Sequence, residues 1–444
     1  MARFVSLLCS TFLCLFSAGA SGADLAQRLD ALEKKVQEQQ KTIDEQQKVI
    51  EQLRDEMGMQ PLHRQYAGEG DHAEAESGSA TVDETLFKKL NISLIVDTYA
   101  YVSTLTDREL ENSSIPGFTT TGLEQREGFN LRAAELIFFA QMNPHITLYA
   151  NLPATEDGIE VEEAYAATTS LSKGLSIKGG KFKSNFSRLN SQHPHMWDFF
   201  DIPLPYRAFL GDEGLGGEKG VQVTWLPPLP LRSTVGVELL QGENDLLFGA
   251  DARSGPHALS VFAKGTVEPT EHSILHGGPS LLIGKARNAN VTEGAELDGT
   301  STLAGMEVAW KWELAHQEQL IFRSEYLYLI QNGILIGDSV PDVLLRRRQD
   351  GFYFQGTYQR GVWRYGVRYD LLGLFADRFQ RGGIREEFGA TPWRATGLVE
   401  YSLSETARIR LQYNHDRSGR HGSNNDEGIL QFIFGIGAHT PHTF

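Results

Sequence analysis

Cysteine is almost missing from this chain of 444 residues: Cys9 and Cys14 are the only two, and both lie in the first apolar stretch. Past that stretch no disulfide, thiolate nucleophile or Cys-ligated metal centre can form. Positive charge is also scarce. Lys and Arg number 41 against 57 Asp and Glu, a formal net charge of −16, which excludes the basic surface a nucleic-acid binder needs. The N-terminal apolar run Phe4–Phe16 is too short to cross a bilayer as a helix. No Gly-x-Ser-x-Gly elbow, phosphate-binding loop or convincing Ser/His/Asp set occurs, so no enzyme is expected. Without a Cys-x-x-Cys-His motif, any haem would belong to a partner.

What is present falls into four segments. Residues 1–23 combine Arg3, the apolar run and a small-residue site at Ala18-Gly19-Ala20 or Ser21-Gly22-Ala23, which reads as a secretory signal. Residues 24–57 repeat every seven, with Leu29, Val36, Ile43, Ile50 and Met57 on one seam position and Leu25, Leu32, Gln39, Gln46 and Leu53 on the other. That spacing predicts an α-helical coiled coil and hence a homo-oligomer; a lone amphipathic helix is the alternative. Residues 58–89 are rich in Gly, Ala, Glu and Ser without periodicity and read as a flexible acidic linker.

From residue 90 to 444 the period changes to two. Thr302, Ala304, Met306, Val308, Trp310 and Trp312 share one face, with Gly305, Glu307 and Lys311 on the other. Tyr365, Val367, Tyr369 and Leu371 alternate in the same way with Arg364, Gly366, Arg368 and Asp370. About sixteen such strands start near residues 91, 129, 145, 158, 174, 219, 231, 255, 272, 301, 318, 350, 362, 393, 407 and 428. Alternate connections are short, as in "NPH" and "QRGV", while the others are long: 104–128, 184–218, 287–300, 332–349, 375–392 and 417–427. Short turns at one rim and long loops at the other predict an all-β, transmembrane antiparallel β-barrel. Trp225, Trp310, Trp312 and Trp363 beside the short turns fit an interfacial aromatic girdle. A polar face toward enclosed water accounts for the negative mean hydropathy. Leu430, Phe432, Phe434 and Ile436 share parity with the terminal Phe444. A last strand ending in Phe resembles the signal read by the barrel-assembly machinery of Gram-negative outer membranes.

The stretch "QHPHMWDFFDIPLPYRAFLG", within residues 158–215, together with "WRYGVRYDLLGL" and "GAHTPHTF", resembles a family of Gram-negative outer-membrane proteins often labelled zinc-regulated TonB-dependent receptors. The resemblance implies an outer-membrane barrel over about residues 90–444. A TonB-dependent transporter, however, is a 22-stranded barrel with a large plug, and residues 24–89 leave room for none. The arrangement is closer to a porin, with a water-filled lumen and passive selection by charge and width.

Arg323, Arg364, Arg368, Arg394, Arg408 and Arg410 are the candidate pore-lining residues, forming a basic wall. Asp198, Asp201, Asp212 and Glu213 sit in the loop 184–218, a candidate constriction that would set a transverse field across the pore. Alternatively, the arginines pair with Glu325, Asp370 and Glu400. Arg346, Arg347 and Arg348 fall in an expected external loop suited to lipopolysaccharide phosphates. His193, His195, Asp198 and Asp201 are N and O donors acceptable to Zn²⁺, though Pro194 would point the two imidazoles apart; no other cofactor is expected. The expected function is an outer-membrane channel for passive diffusion of small solutes or ions. The alternative is a metal-responsive, zinc-type uptake receptor using the His/Asp loop.

Overall fold

The computed structural model describes residues 90–437 apart from 121, 124, 170, 250–254, 293, 338–339 and 421–423. The expected signal peptide, coiled coil and linker, and Phe444 with its predicted assembly role, lie outside the described residues.

Sixteen strands form one antiparallel ring, and two short arms (158–159 and 384–386) pair beside it. The strands are β1 (Leu90–Ser103), β2 (Gly128–Asn143), β3 (Ile146–Thr155), β4 (Glu163–Thr168), β5 (Leu175–Lys183), β6 (Gly217–Trp225), β7 (Arg232–Leu240) and β8 (Ala258–Thr270). They continue as β9 (Ser273–Thr292), β10 (Ala295–Ala315), β11 (Glu318–Gly337), β12 (Val340–Arg360), β13 (Trp363–Arg381), β14 (Trp393–Ser402), β15 (Ala407–Asp416) and β16 (Asn425–Gly437). Each pairs with its sequence neighbour, and β1 closes the ring on β16 with Val96 opposite Phe434 and Ser103 opposite Glu427. Closure leaves no unpaired edge, the condition a sheet must meet in hydrocarbon.

Burial along the strands is inverted relative to a soluble protein. Val367 is 63% exposed and Leu411 55%, whereas Asp370 is fully buried and Glu307 is 1% exposed. Apolar side chains therefore face outward and charged ones inward. Trp310 stacks on Trp312 at 5.4 Å, and Trp363 meets Tyr401 at 4.8 Å, both pairs near the short-turn rim. Among the described residues no helix is long and apolar enough to cross a membrane. The crossing is made by strands.

The far rim differs from expectation. Most of residues 287–300 and 332–349 are strand, not loop: β9 to β12 run for 20 or 21 residues each, with Thr292 paired opposite Ala295 and Gly337 opposite Val340. About 9–11 residues suffice to cross the membrane, so these hairpins continue beyond it. There both faces meet water or other loops, and the period-two signal fades. Inside them Ala286, Val291, Leu297, Leu335, Leu345 and Phe379 form a second apolar cluster. Arg346, Arg347 and Arg348 accordingly lie in β12, not in a loop. Arg347 points inward and donates to Gln331 (3.2 Å) and to the Phe118 carbonyl (3.0 Å).

The connection after β5, residues 184–216, folds into the ring. It ends in a buried helix, α1 (Leu204–Leu210), that packs against β11, β12 and β13. Pro203 and Pro205 supply fixed φ at its start, and Gly211 stops it at φ +91°, a left-handed position that suits glycine. Phe182, Phe186, Tyr206 and Phe209 are fully buried around it. The aromatic, Pro-rich stretch of the sequence thus lies inside the barrel.

Candidate functional site: the infolded loop and its wall

All six predicted arginines point inward, and each holds the infolded loop. Asp198 accepts from Arg323, from Arg364 at 2.9 Å and from Gln355 at 2.6 Å. Three residues on, Asp201 accepts from Arg368 at 2.9 Å, Arg394 at 2.7 Å and Gln412 at 2.5 Å. Arg408 and Arg410 donate to the backbone carbonyls of His195 and Trp197, the latter at 3.0 Å. Behind them, Asp370 pairs with Arg368 (3.1 Å) and Arg394 (3.0 Å), and Glu400 with Arg410 (2.7 Å).

This corrects the expected transverse field. Acids and arginines are in direct contact, because charges this deeply buried must be paired. The pairing alternative holds for Asp370 and Glu400. Glu325 instead accepts from Tyr206 (2.7 Å), Tyr353 (2.5 Å) and the backbone N–H groups of Arg188 and Leu189 (3.1 Å each). The other two predicted constriction acids do not join Asp198. Asp212 pairs with Arg207 at 3.2 Å, and both Asp212 and Glu213 lie exposed at the end of the loop.

Burial alone would raise the carboxyls of Asp198 and Asp201, but the facing guanidinium groups outweigh it. Asp198 is held well below the usual carboxylate range, and Asp201 is lowered to about 2. Beside Asp198 a cavity of about 330 Å³, lined by Arg323, Arg364, Arg408 and His195, faces the short turns 315–318 and 402–407.

The expected metal set is not assembled as read. A 3₁₀ turn at Pro194–Met196 brings His193 and His195 into parallel stacking at 5.6 Å, where an extended chain would have splayed them. Asp198 and Asp201 go to the arginine wall on β11 and β13–β15. The imidazoles instead meet acids of β2, β4 and the residue before β4. His193 contacts Glu162 through Nδ1 (2.9 Å) and Glu163 through Nε2 (2.8 Å); His195 contacts Glu135 through Nδ1 (2.8 Å). Burial opposes a charge on His193, yet the two glutamates prevail and raise it to about 9. Glu135, Asn151, Glu162 and Glu163 were not singled out from the sequence. Their signal was a lone acid inside "RAAELIFF" and a Glu pair in "GIEVEEAY".

A closed antiparallel ring of sixteen strands, apolar outside and charged within, is a transmembrane barrel of the kind found in Gram-negative outer membranes. No family model matches the chain. It belongs to the same family as an uncharacterized protein of Aquifex aeolicus (strain VF5), 36% identical over 379 residues, which are 80% of this chain and 80% of that one. Among solved structures it is similar in fold to the outer membrane channel DcaP of Acinetobacter baumannii, with a TM-score of 0.51 and 14% identity over 78% of this chain and 97% of that one. The anion-selective porin from Comamonas acidovorans superposes with a TM-score of 0.49 and 9% identity over 78% of this chain and 99% of that one. Its sixteen ring strands are fewer than the 22 of the plugged transporters.

Proposed function

We propose that this barrel is a non-enzymatic outer-membrane channel that passes small polar solutes or ions by passive diffusion. The observation that carries this reading is the charged, hydrogen-bonded inner face of a closed ring around a loop fastened to the wall. A purely structural barrel has no need of six inward arginines gripping an internal segment. In such a pore, width and lining charge do the selecting, and here both are set by where the loop rests. The full chain, purified in detergent and added to a planar bilayer, is expected to give stable ohmic steps with neither energy source nor added metal. Insertion of folded barrels without any steps would overturn the reading.

A further inference from the structure

On the side of the loop away from the arginine wall, three potential ligand atoms converge on one point. Glu135 Oε2, Glu162 Oε2 and His193 Nδ1 lie 3.0, 3.0 and 3.1 Å from Asn151 Nδ2. These ligands and their neighbour His195 come from β2, the segment before β4 and the infolded loop. We propose that Glu135, Glu162, His193 and Asn151 form a binding site for one first-row divalent cation, which fastens the loop to β2–β4.

Three observations support it. First, each ligand has its outer atom held and its inner atom turned toward the others, with Glu162 Oε2 2.9 Å from His193 Nδ1. Lys183 Nζ holds Glu162 Oε1 at 2.6 Å, His195 Nδ1 holds Glu135 Oε1 at 2.8 Å, and Glu163 takes His193 Nε2 at 2.8 Å. A carboxylate accepting from the far nitrogen of an imidazole orients the ring, so that the near nitrogen binds metal once it gives up the proton it shares with Glu162. Second, the inner atoms lie within 4.8 Å of one another. Bond lengths of about 2.0–2.2 Å put ligands up to about 4 Å apart across an ion, so side-chain shifts under about 1 Å close the shell. Third, Asn151 is fully buried and its Oδ1 has no hydrogen-bond partner. Its amide nitrogen faces two carboxylate oxygens and His193 Nδ1. The amide oxygen and nitrogen are nearly indistinguishable by shape, so a flipped amide offers the cation a fourth ligand.

Charge agrees with the geometry. Glu135, Glu162 and Glu163 against Lys183 leave two negative charges once a cation has displaced the proton of His193, with His195 neutral, and a divalent cation cancels them. Mixed carboxylate, amide and imidazole donors suit Zn²⁺, Co²⁺ or Mn²⁺ better than Ca²⁺ or a soft ion. The site does not depend on the channel reading: it binds whether or not the barrel conducts.

The test uses the full chain in detergent, stripped with a chelator. Co²⁺ is titrated with visible absorption as readout, and bound Zn²⁺ is counted by elemental analysis. One ion per chain is expected, with binding weakened by about tenfold or more in Glu162→Gln and His193→Gln and unchanged in the control Glu243→Gln, a half-buried acid on the connection after β7. Folding of each variant is checked by heat-modifiable gel mobility. Should Glu162→Gln or His193→Gln not fold, Asn151→Asp supplies the second test, since an added carboxylate should tighten binding. Absence of stoichiometric binding to the folded wild type would sink the proposal. Affinity indifferent to substitutions at Glu162, His193 and Asn151 would also sink it.

Discussion

Asp198 is the place to test whether the loop is fastened by charge. Its carboxylate takes hydrogen bonds from Arg323, Arg364 and Gln355, and in both ion pairs every side chain is less than a fifth exposed. Asp198→Asn keeps the size and removes the charge, so the buried guanidinium groups of Arg323 and Arg364 each lose one counter-ion, Glu400 staying 3.7 Å from Arg364. Breaking one partner of a buried ion pair costs about 3–5 kcal/mol. At roughly 1.4 kcal/mol per factor of ten, the ratio of undocked to docked loop rises between about a hundredfold and a few thousandfold. Single-channel recording is the assay: the variant should show frequent transitions to a wider, noisier state that the wild type visits rarely. Asp157→Asn, on the exposed turn after β3, is the control and should leave the record unchanged. A folded Asp198→Asn barrel with wild-type conductance and noise would refute the argument that the aspartate holds the loop.

Further outcomes follow from the same geometry. In the metal-free protein, docked His193 sits at about 9 against a free value of 6.5, so its ion pairs contribute fully below about pH 6.5 and are lost as pH rises through 9. Asp201, at about 2 against 3.8, works in the opposite sense: its contribution is present above about pH 3.8 and lost as pH falls through 2. Trp197 fluorescence, followed against pH, should therefore report the most buried loop between about pH 4 and 6.5, and a flat profile to pH 10 would contradict this. Phe209→Ala empties a fully buried position in α1 at a cost of about 3–5 kcal/mol, and should raise channel noise while the barrel still resists unfolding by detergent and heat. Leu411→Arg places a charge on the outward face of β15, at a cost of up to about 2–4 kcal/mol near mid-membrane. Its yield of heat-modifiable barrel should fall well below that of Gln412→Arg, one residue away on the inner face.

The strands crossing the membrane were legible because lipid and water impose opposite demands on alternate residues. Val367, Tyr369 and Leu411 against Arg368, Asp370 and Arg410 leave no second reading of which face is which, and the observed burial follows that parity. The residues that fasten the loop were legible for the same reason. An arginine on the inner parity of a barrel strand has only the interior to face. Asp198 and Asp201 were among four loop acids expected opposite the arginine wall, but which of the four reach it was not legible, because the sequence does not say how far residues 184–216 reach across the ring. Asp198 and Asp212 look alike in one dimension, yet the first is buried against Arg364 and the second lies beyond the Gly211 stop. The tall hairpins were read as loops because Asn288, Asn290, Glu296 and Asp298 break the outward apolar rhythm. Strand pairing needs no such rhythm once the chain has left the bilayer. His193 and His195 were noticed as donors, but the local turn that stacks them, and the acids waiting on β2 and β4, depend on contacts between distant segments.

The unequal strand lengths bear on how the outside world meets this protein. Strands β3 to β7 have 6 to 10 residues, while β9 to β12 have 20 or 21. Ten extra residues at about 3.3 Å each, inclined at roughly 40°, lift one flank some 25 Å above the other. The entrance is cut obliquely, like the nib of a quill. Approach from the side of β3 to β7 meets the shorter wall, and approach from the side of β9 to β12 meets the crest.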